Sequence, residues 1–144
     1  MTTSTTVQAR DAAEVRRLSE GLVAFLESNT APDGLFHSDV FCDLSLPQWR
    51  LQTDSAADIA RLRRESHPDL GQVARWRSDP LPDGFVFEFE ERWIDARGEH
   101  WYAREMIRAT VANGRIAEMS IYCTGDWDQA RVDEHARAVR LLRP

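Results

Sequence analysis

Asp43 stands between Cys42 and Leu44 in the run VFCDLSL, a carboxylate in mainly apolar surroundings. Taken partly out of water, such a group resists ionising; its pKa rises and it can remove a proton from carbon next to a carbonyl. The plainer alternative is that Asp43 ends a strand and accepts hydrogen bonds from the turn that follows, near Ser45 and Gln48. Downstream, Tyr102 and Arg104 fall two apart in WYAREMIR. In extended chain they share one face, where a phenol and a guanidinium can orient an anionic or carbonyl oxygen. A buried guanidinium needs an acid nearby, and Glu91 in FVFEFEERW is the first candidate. An Arg–Glu pair that only closes the sheet is the structural alternative.

Other chemistries find less support. His37, His67, His100 and His135 share no metal-ligand spacing, so no metal is expected. His67, before Pro68, can reach a pocket mouth or simply sit at the surface. Cys42 and Cys123 lie far apart with no CxxC pattern and read as buried thiols. Cys123 would be a nucleophile only beside a base, and no histidine is placed for that. No phosphate-cradling glycine loop occurs, and no cofactor is expected. The net charge of −6 argues against nucleic acid, which selects a basic stripe. All 18 positive charges are arginine and are scattered among acids. The N-terminal MTTSTTVQAR has no apolar core, and no apolar run approaches a membrane span. No membrane contact is expected, and a cytoplasmic location is the default.

At 144 residues, 42% hydrophobic and 29% charged, the chain fits one globular domain. Residues 1–10 read as a flexible polar tail and 11–144 as a single α+β domain. Asp11 caps a first helix, with Glu14 at the capping-box position; Val15, Leu18, Leu22, Phe25 and Leu26 form its apolar stripe. Asn29 to Gly34 ends it with turn residues, and Leu35 to Ser38 is compatible with a short helical turn. Val40 to Leu46 reads as a first strand, stopped by Pro47. Trp49 is then a candidate pocket lid or an ordinary rim tryptophan. A second helix, Ala56 to Glu65, capped by Asp54 or Ser55, has so thin a stripe that it reads as peripheral. Strands follow at Gly71 to Arg77 and Phe85 to Ile94. A last helix, capped by Asp126 or Asp128, is pinned by Trp127 and carries Val132, Ala136 and Val139.

The strongest local signal is Asn113-Gly114, whose residues suit the positive φ of a type I′ hairpin turn. A two-residue turn there sets Ala112 against Arg115, then Thr110 with Ala117, Arg108 with Met119, Met106 with Ile121 and Arg104 with Cys123. One face then carries Tyr102, Arg104, Met106, Arg108, Met119, Ile121 and Cys123. The other carries Trp101, Ala103, Glu105, Ile107, Ala109, Ile116, Glu118, Ser120 and Tyr122. The upstream hairpin is less determinate. A three-residue loop at Ala96–Gly98 aligns Glu90 with Arg104 and leaves Phe85, Phe87 and Phe89 outside. Burying each phenylalanine is worth roughly 1.5–3 kcal/mol, which favours turning them inward with Glu91. A bulge at Gly98 would permit this.

The order of elements, the early LFHSDVFCDLSLPQW and the late GRIAEMSIYCTGDWD together resemble the nuclear transport factor 2-like superfamily, its SnoaL-like branch most of all. The resemblance spans roughly Asp11 to Asp128 on loose motifs. It implies a cone: a curved antiparallel sheet packed on a long N-terminal helix, enclosing a pocket for a small hydrophobic, oxygenated molecule of polyketide-like or steroid-like kind. It implies further that Tyr102, Arg104, Met106, Met119, Ile121 and Cys123 face the pocket. With Trp49, Phe87, Phe89 and Glu91 these make the candidate substrate-binding set. A homodimer through a face bearing Trp101, Ile107, Ser120 and Tyr122 is also implied. Arg92 aligns with the arginine of limonene-epoxide-hydrolase-like members, whereas Ile94 and Ile121 stand where their carboxylates would be. Asp43 lies within one position of the isomerase-like general base; the acid that stabilises the oxyanion would fall near Arg104 to Met106, where there is no Asp. The expected activity is cofactor-free isomerisation, dehydration or cyclisation, with Asp43 as base and Tyr102 and Arg104 polarising an oxygen. A non-catalytic ligand-binding or dimeric interaction module is the alternative.

Overall fold

The computed structural model describes residues 8–144. Periodicity forms the first helix, α1 (Ala12–Ser28): Asp11 caps it by accepting from the Ala13 amide at 2.7 Å, and Val15, Leu18, Leu22, Phe25 and Leu26 are all buried. It ends at Asn29, whose φ of 57° is the left-handed conformation that closes helices. Of the expected tail, residues 1–7 lie outside the described residues. Arg10 is tied down, its amide donating to the Leu81 carbonyl at 3.0 Å and its guanidinium to that of Val111 at 2.9 Å.

Two strands, β1 (Phe36–Leu46) and β2 (Trp49–Thr53), form a hairpin before α2 (Ala56–Ser66), which Ser55 caps. Phe36 to Ser38 therefore starts a strand and not a helical turn, because Phe36 pairs with Ile116. Four longer strands follow: β3 (Gly71–Pro80), β4 (Gly84–Ile94), β5 (His100–Ala112) and β6 (Arg115–Cys123). A two-residue β7 (Trp127–Asp128) leads into α3 (Gln129–Ala138), capped by Asp128. The strands make one curled, open sheet in the order β2-β1-β6-β5-β4-β3, with β7 continuing along β5 past the end of β6. The sheet is mixed: β1 runs parallel to β6, where a wholly antiparallel sheet was expected.

Register decides which side chains face inward. Asn113 and Gly114 have φ of 52° and 73°, as the hairpin requires, and Ala112 does pair with Arg115. Val111 then pairs with Ile116, but Thr110 pairs with Glu118, so Ala117 is an extra residue on β6. This bulge flips the relation between the two strands. Met119 now stands opposite Ala109, Ile121 opposite Ile107 and Cys123 opposite Glu105. The apolar sides of both strands coincide, and no arginine is buried to achieve it.

The corrections follow directly. Ala103, Ile107 and Ala109 are buried, with Glu105 on the same side, whereas Tyr102, Arg104, Met106 and Arg108 face outward. Glu90 pairs with Arg104, yet Phe85, Phe87 and Phe89 are inside at 0%, 0% and 2% exposure. With Arg104 outward, the Glu90–Arg104 register and the inward phenylalanines are compatible. Gly84 is required where β4 begins, since a Cβ there would lie 1.8 Å from the Ala109 carbonyl oxygen. Among the described residues, no helix is long and apolar enough to cross a membrane.

Candidate functional site

A cavity of about 150 Å³ lies between the inner face of the sheet, α1 and α2. Leu44 and Leu46 of β1, Leu51 of β2, Ile107 of β5, and Met119 and Ile121 of β6 supply much of its apolar wall. Its polar groups are Arg63, Ser66 and His67 from the end of α2, Glu105 of β5, Cys123, and Asp126 from the break between β6 and β7. That break exists because Gly125, at φ 88°, turns the chain against Pro47, leaving no room for a side chain; a Cβ would meet the proline ring at 2.9 Å.

Arg63 organises the polar end. Its Nη2 and Nη1 donate to both oxygens of Glu91 at 2.5 and 3.1 Å, forming a fork-to-fork pair that is almost fully buried. Its Nε donates to Asn29 Oδ1 at 3.2 Å and Nη2 also to the Leu26 carbonyl at 3.0 Å. Asn29 in turn donates to the His67 carbonyl at 2.8 Å, so the end of α1 and the end of α2 are laced together around the guanidinium. The helix expected to be peripheral thus supplies an arginine to the cavity wall.

Glu105 has no such counter-ion among the described residues. Burial, and then the charge of Glu91 and a hydrogen bond with it, push the Glu105 carboxyl well above the ordinary carboxylate range. Arg63 opposes this only in part. Two carboxyls thus share the surroundings of one guanidinium, and Glu105 is the one whose anion burial disfavours. Asp126 is also raised, by burial first, while His67 is lowered by burial and then by the charge of Arg63. The imidazole lies edge-on to Trp93, with centroids 4.8 Å apart. Burial also raises both thiols, Cys42 to about 11 and Cys123 to about 12, so each stays protonated and unreactive.

The residues expected from the sequence divide in two. Phe89, Met119, Ile121 and Cys123 line the cavity. Phe87 and Glu91 are buried on the same inner face but off the cavity wall. Asp43 points to the other side of β1 and is gripped by Arg50, with Nε to Oδ1 at 2.8 Å and Nη2 to Oδ2 at 2.5 Å. Arg50 holds its carboxyl below the usual range, the reverse of a desolvated base. Tyr102 donates to Glu90 at 3.1 Å on the outer face, and Arg104 approaches the same carboxylate at 3.4 Å. Met106 is 42% exposed beside Tyr122, and Trp49, at the β1–β2 turn, is 66% exposed. None of these five expected site residues lines the cavity, and the structure does not bring Asp43, Tyr102 and Arg104 together.

Sequence reasoning missed Arg63, Glu105 and Asp126 as cavity groups. Glu105 carried a signal: it is the lone acid in the alternation Ala103, Glu105, Ile107, Ala109. Ile116 and Met119, both apolar and three apart in an alternating strand, marked the bulge. Arg63 and Asp126 had no local signal, since a helical arginine and a loop aspartate are ordinary surface residues.

No family model matches the chain, and no curated protein matches it. Solved structures do. An NTF2-like protein from Anabaena variabilis is similar at a TM-score of 0.65 and 14% identity, over 83% of this chain and 96% of that one. A protein described as a putative polyketide cyclase from Xanthomonas campestris pv. campestris gives 0.62 at 14% identity, over 76% and 90%. One described as a putative isomerase from Rhodopseudomonas palustris gives 0.61 at 12% identity, over 88% and 97%. At such low identity these likenesses show the fold: the chain has the α+β nuclear transport factor 2-like fold.

Proposed function

From that fold, we propose that the protein binds a small hydrophobic, oxygen-bearing molecule in the cavity and catalyses cofactor-free proton transfer on it, of the isomerisation or dehydration kind. One observation carries the reading: Glu105, a carboxyl pushed well above the ordinary carboxylate range by burial and then by Glu91, stands on an apolar cavity wall beside an ion pair. A neutral carboxylic acid is a hydrogen-bond donor, and its natural acceptor is a carbonyl or hydroxyl oxygen of the occupant. Its hydrogen bond stabilises negative charge developing on that oxygen as a neighbouring carbon loses a proton. Asp126, with the neutral His67 beside it, is the base on the same wall. The proton taken from carbon returns at a different carbon in an isomerisation; in a dehydration, the hydroxyl leaves as water with a proton from Glu105. Asp43, Tyr102 and Arg104 have no part in this arrangement.

The test needs no knowledge of the natural substrate. In D2O, wild-type protein should accelerate exchange of the α-hydrogens of 2-cyclohexenone, followed by NMR. Glu105→Gln should lower that acceleration by about 10²–10⁴-fold, the usual contribution of a positioned acid or base, with the fold unchanged by circular dichroism. Binding without any acceleration by the wild type would instead favour the non-catalytic carrier. Self-association through the outer face belongs to the same reading. It is supported by the neighbouring Met106 and Tyr122, exposed at 42% and 61%, while Ile107 from the expected dimer face is buried.

A further inference from the structure

The cavity's volume and wall chemistry narrow the occupant further, an inference that rests on the proposed ligand-binding reading. At about 150 Å³ the space is small. An apolar cavity of about that volume accepts benzene, whereas sites for drug-sized ligands run to about 300–1,000 Å³. One six-membered ring with a few substituent atoms therefore fits, and a fused tetracycle does not.

Charge narrows it again. The only arginine on the wall among the described residues, Arg63, directs four of its five N–H groups at Glu91, Asn29 and the Leu26 carbonyl. It has little left for a ligand carboxylate or phosphate. The remaining wall groups that titrate are Glu105, Asp126, His67 and Cys123, with Glu91 adjacent, so an anionic occupant would meet carboxyls and no free cation. A cationic amine would be attracted to Asp126. Asp126 is exposed, however, so the amine would keep its water there, at the edge; deeper in, Leu44, Leu46, Leu51, Ile59 and Leu62 offer no compensation for water lost. We infer that the natural ligand is an uncharged, single-ring-sized ketone, enone or alcohol, its ring against Ile107, Met119 and Ile121 and its oxygen accepting from Glu105. This stands in place of the steroid-like or polyketide-like ring system that the resemblance implied.

The experiment is an NMR titration of full-length protein, read at the Met119 and isoleucine methyls, at pH 7. Four probes are compared: 2-cyclohexenone, cyclohexanecarboxylate, cyclohexylamine and a tetracyclic enone. Cyclohexenone should bind, with the carboxylate and the amine at least tenfold weaker and the tetracycle without effect on these methyls. Two cavity-filling variants, Leu44→Phe and Ile121→Phe, should each abolish the cyclohexenone shifts while keeping the native spectrum elsewhere. Tight binding of the tetracycle, the carboxylate or the amine overturns this inference and leaves the ligand-binding reading standing. Failure of all four probes, or shifts that survive both variants, overturns the two together.

Discussion

At the scale of single residues, a buried charge is tolerable only where its partner is also buried and well aligned. Arg63 and Glu91 meet that condition, with side chains 12% and 4% exposed. Arg63→Met should destabilise the fold by about 3–5 kcal/mol, because Glu91 would be left charged and unpaired. The double variant Arg63→Met with Glu91→Met should recover most of that loss in urea unfolding. If the single variant were as stable as wild type, the pair would have no structural weight. Glu105 is the opposite case, a carboxyl whose pKa burial pushes well up. Its legibility in the sequence was partial. An acid in an apolar alternation was visible, but whether that alternation faced core or solvent was not, since the answer hung on a bulge at Ala117, twelve positions further along the chain.

At the scale of elements, α1 and α2 matter for the residues at their ends. Asn29 caps α1 in the left-handed conformation and holds both Arg63 and the His67 carbonyl. Asn29→Gly keeps the backbone conformation and loses those bonds, for an expected cost of about 1–3 kcal/mol. Asn29→Ala should cost about 1–2 kcal/mol more, because a Cβ is unfavourable at positive φ. Equal stability of the two variants in chemical denaturation would remove the backbone part of this argument. The sequence marked α1 well through its apolar stripe, and β4 through its alternating phenylalanines. It marked β2 poorly. That strand is five residues long and half polar, and it exists because β1 offers it an edge to pair with.

At the scale of the whole molecule, the raised Glu105 carboxyl should leave a signature in stability against pH. Unfolded, a glutamate titrates near about 4.3; folded, this one titrates well higher. Between those two values the native state holds a proton that the unfolded state has released. Stability should therefore fall as pH rises, by up to about 1.4 kcal/mol per pH unit for one proton. Asp43 and Asp95, both lowered, act in the other direction and lose their contribution as the medium becomes acidic. The charged and titratable groups facing Glu105 are Glu91, Arg63, Asp126 and Cys123. Urea midpoints taken from pH 5 to 9 should decline more steeply for wild type than for Glu105→Gln, in which the raised Asp126 still contributes; parallel curves would contradict the assignment.

The amino-acid order by itself determined the α+β class, the first helix with its buried stripe, the Asn113-Gly114 turn, and the inward phenylalanines. Each of these rests on local periodicity or on backbone preferences of one or two residues. Tertiary structure alone decided the sheet order, the parallel pairing of β1 with β6, and the inward face of β5. It alone drew Arg63, Glu91, Glu105 and Asp126 to one end of one cavity. The physical reason is common to all of these. A strand has two faces that differ by a single step of register, and the step is chosen by which whole arrangement buries apolar surface without stranding a charge.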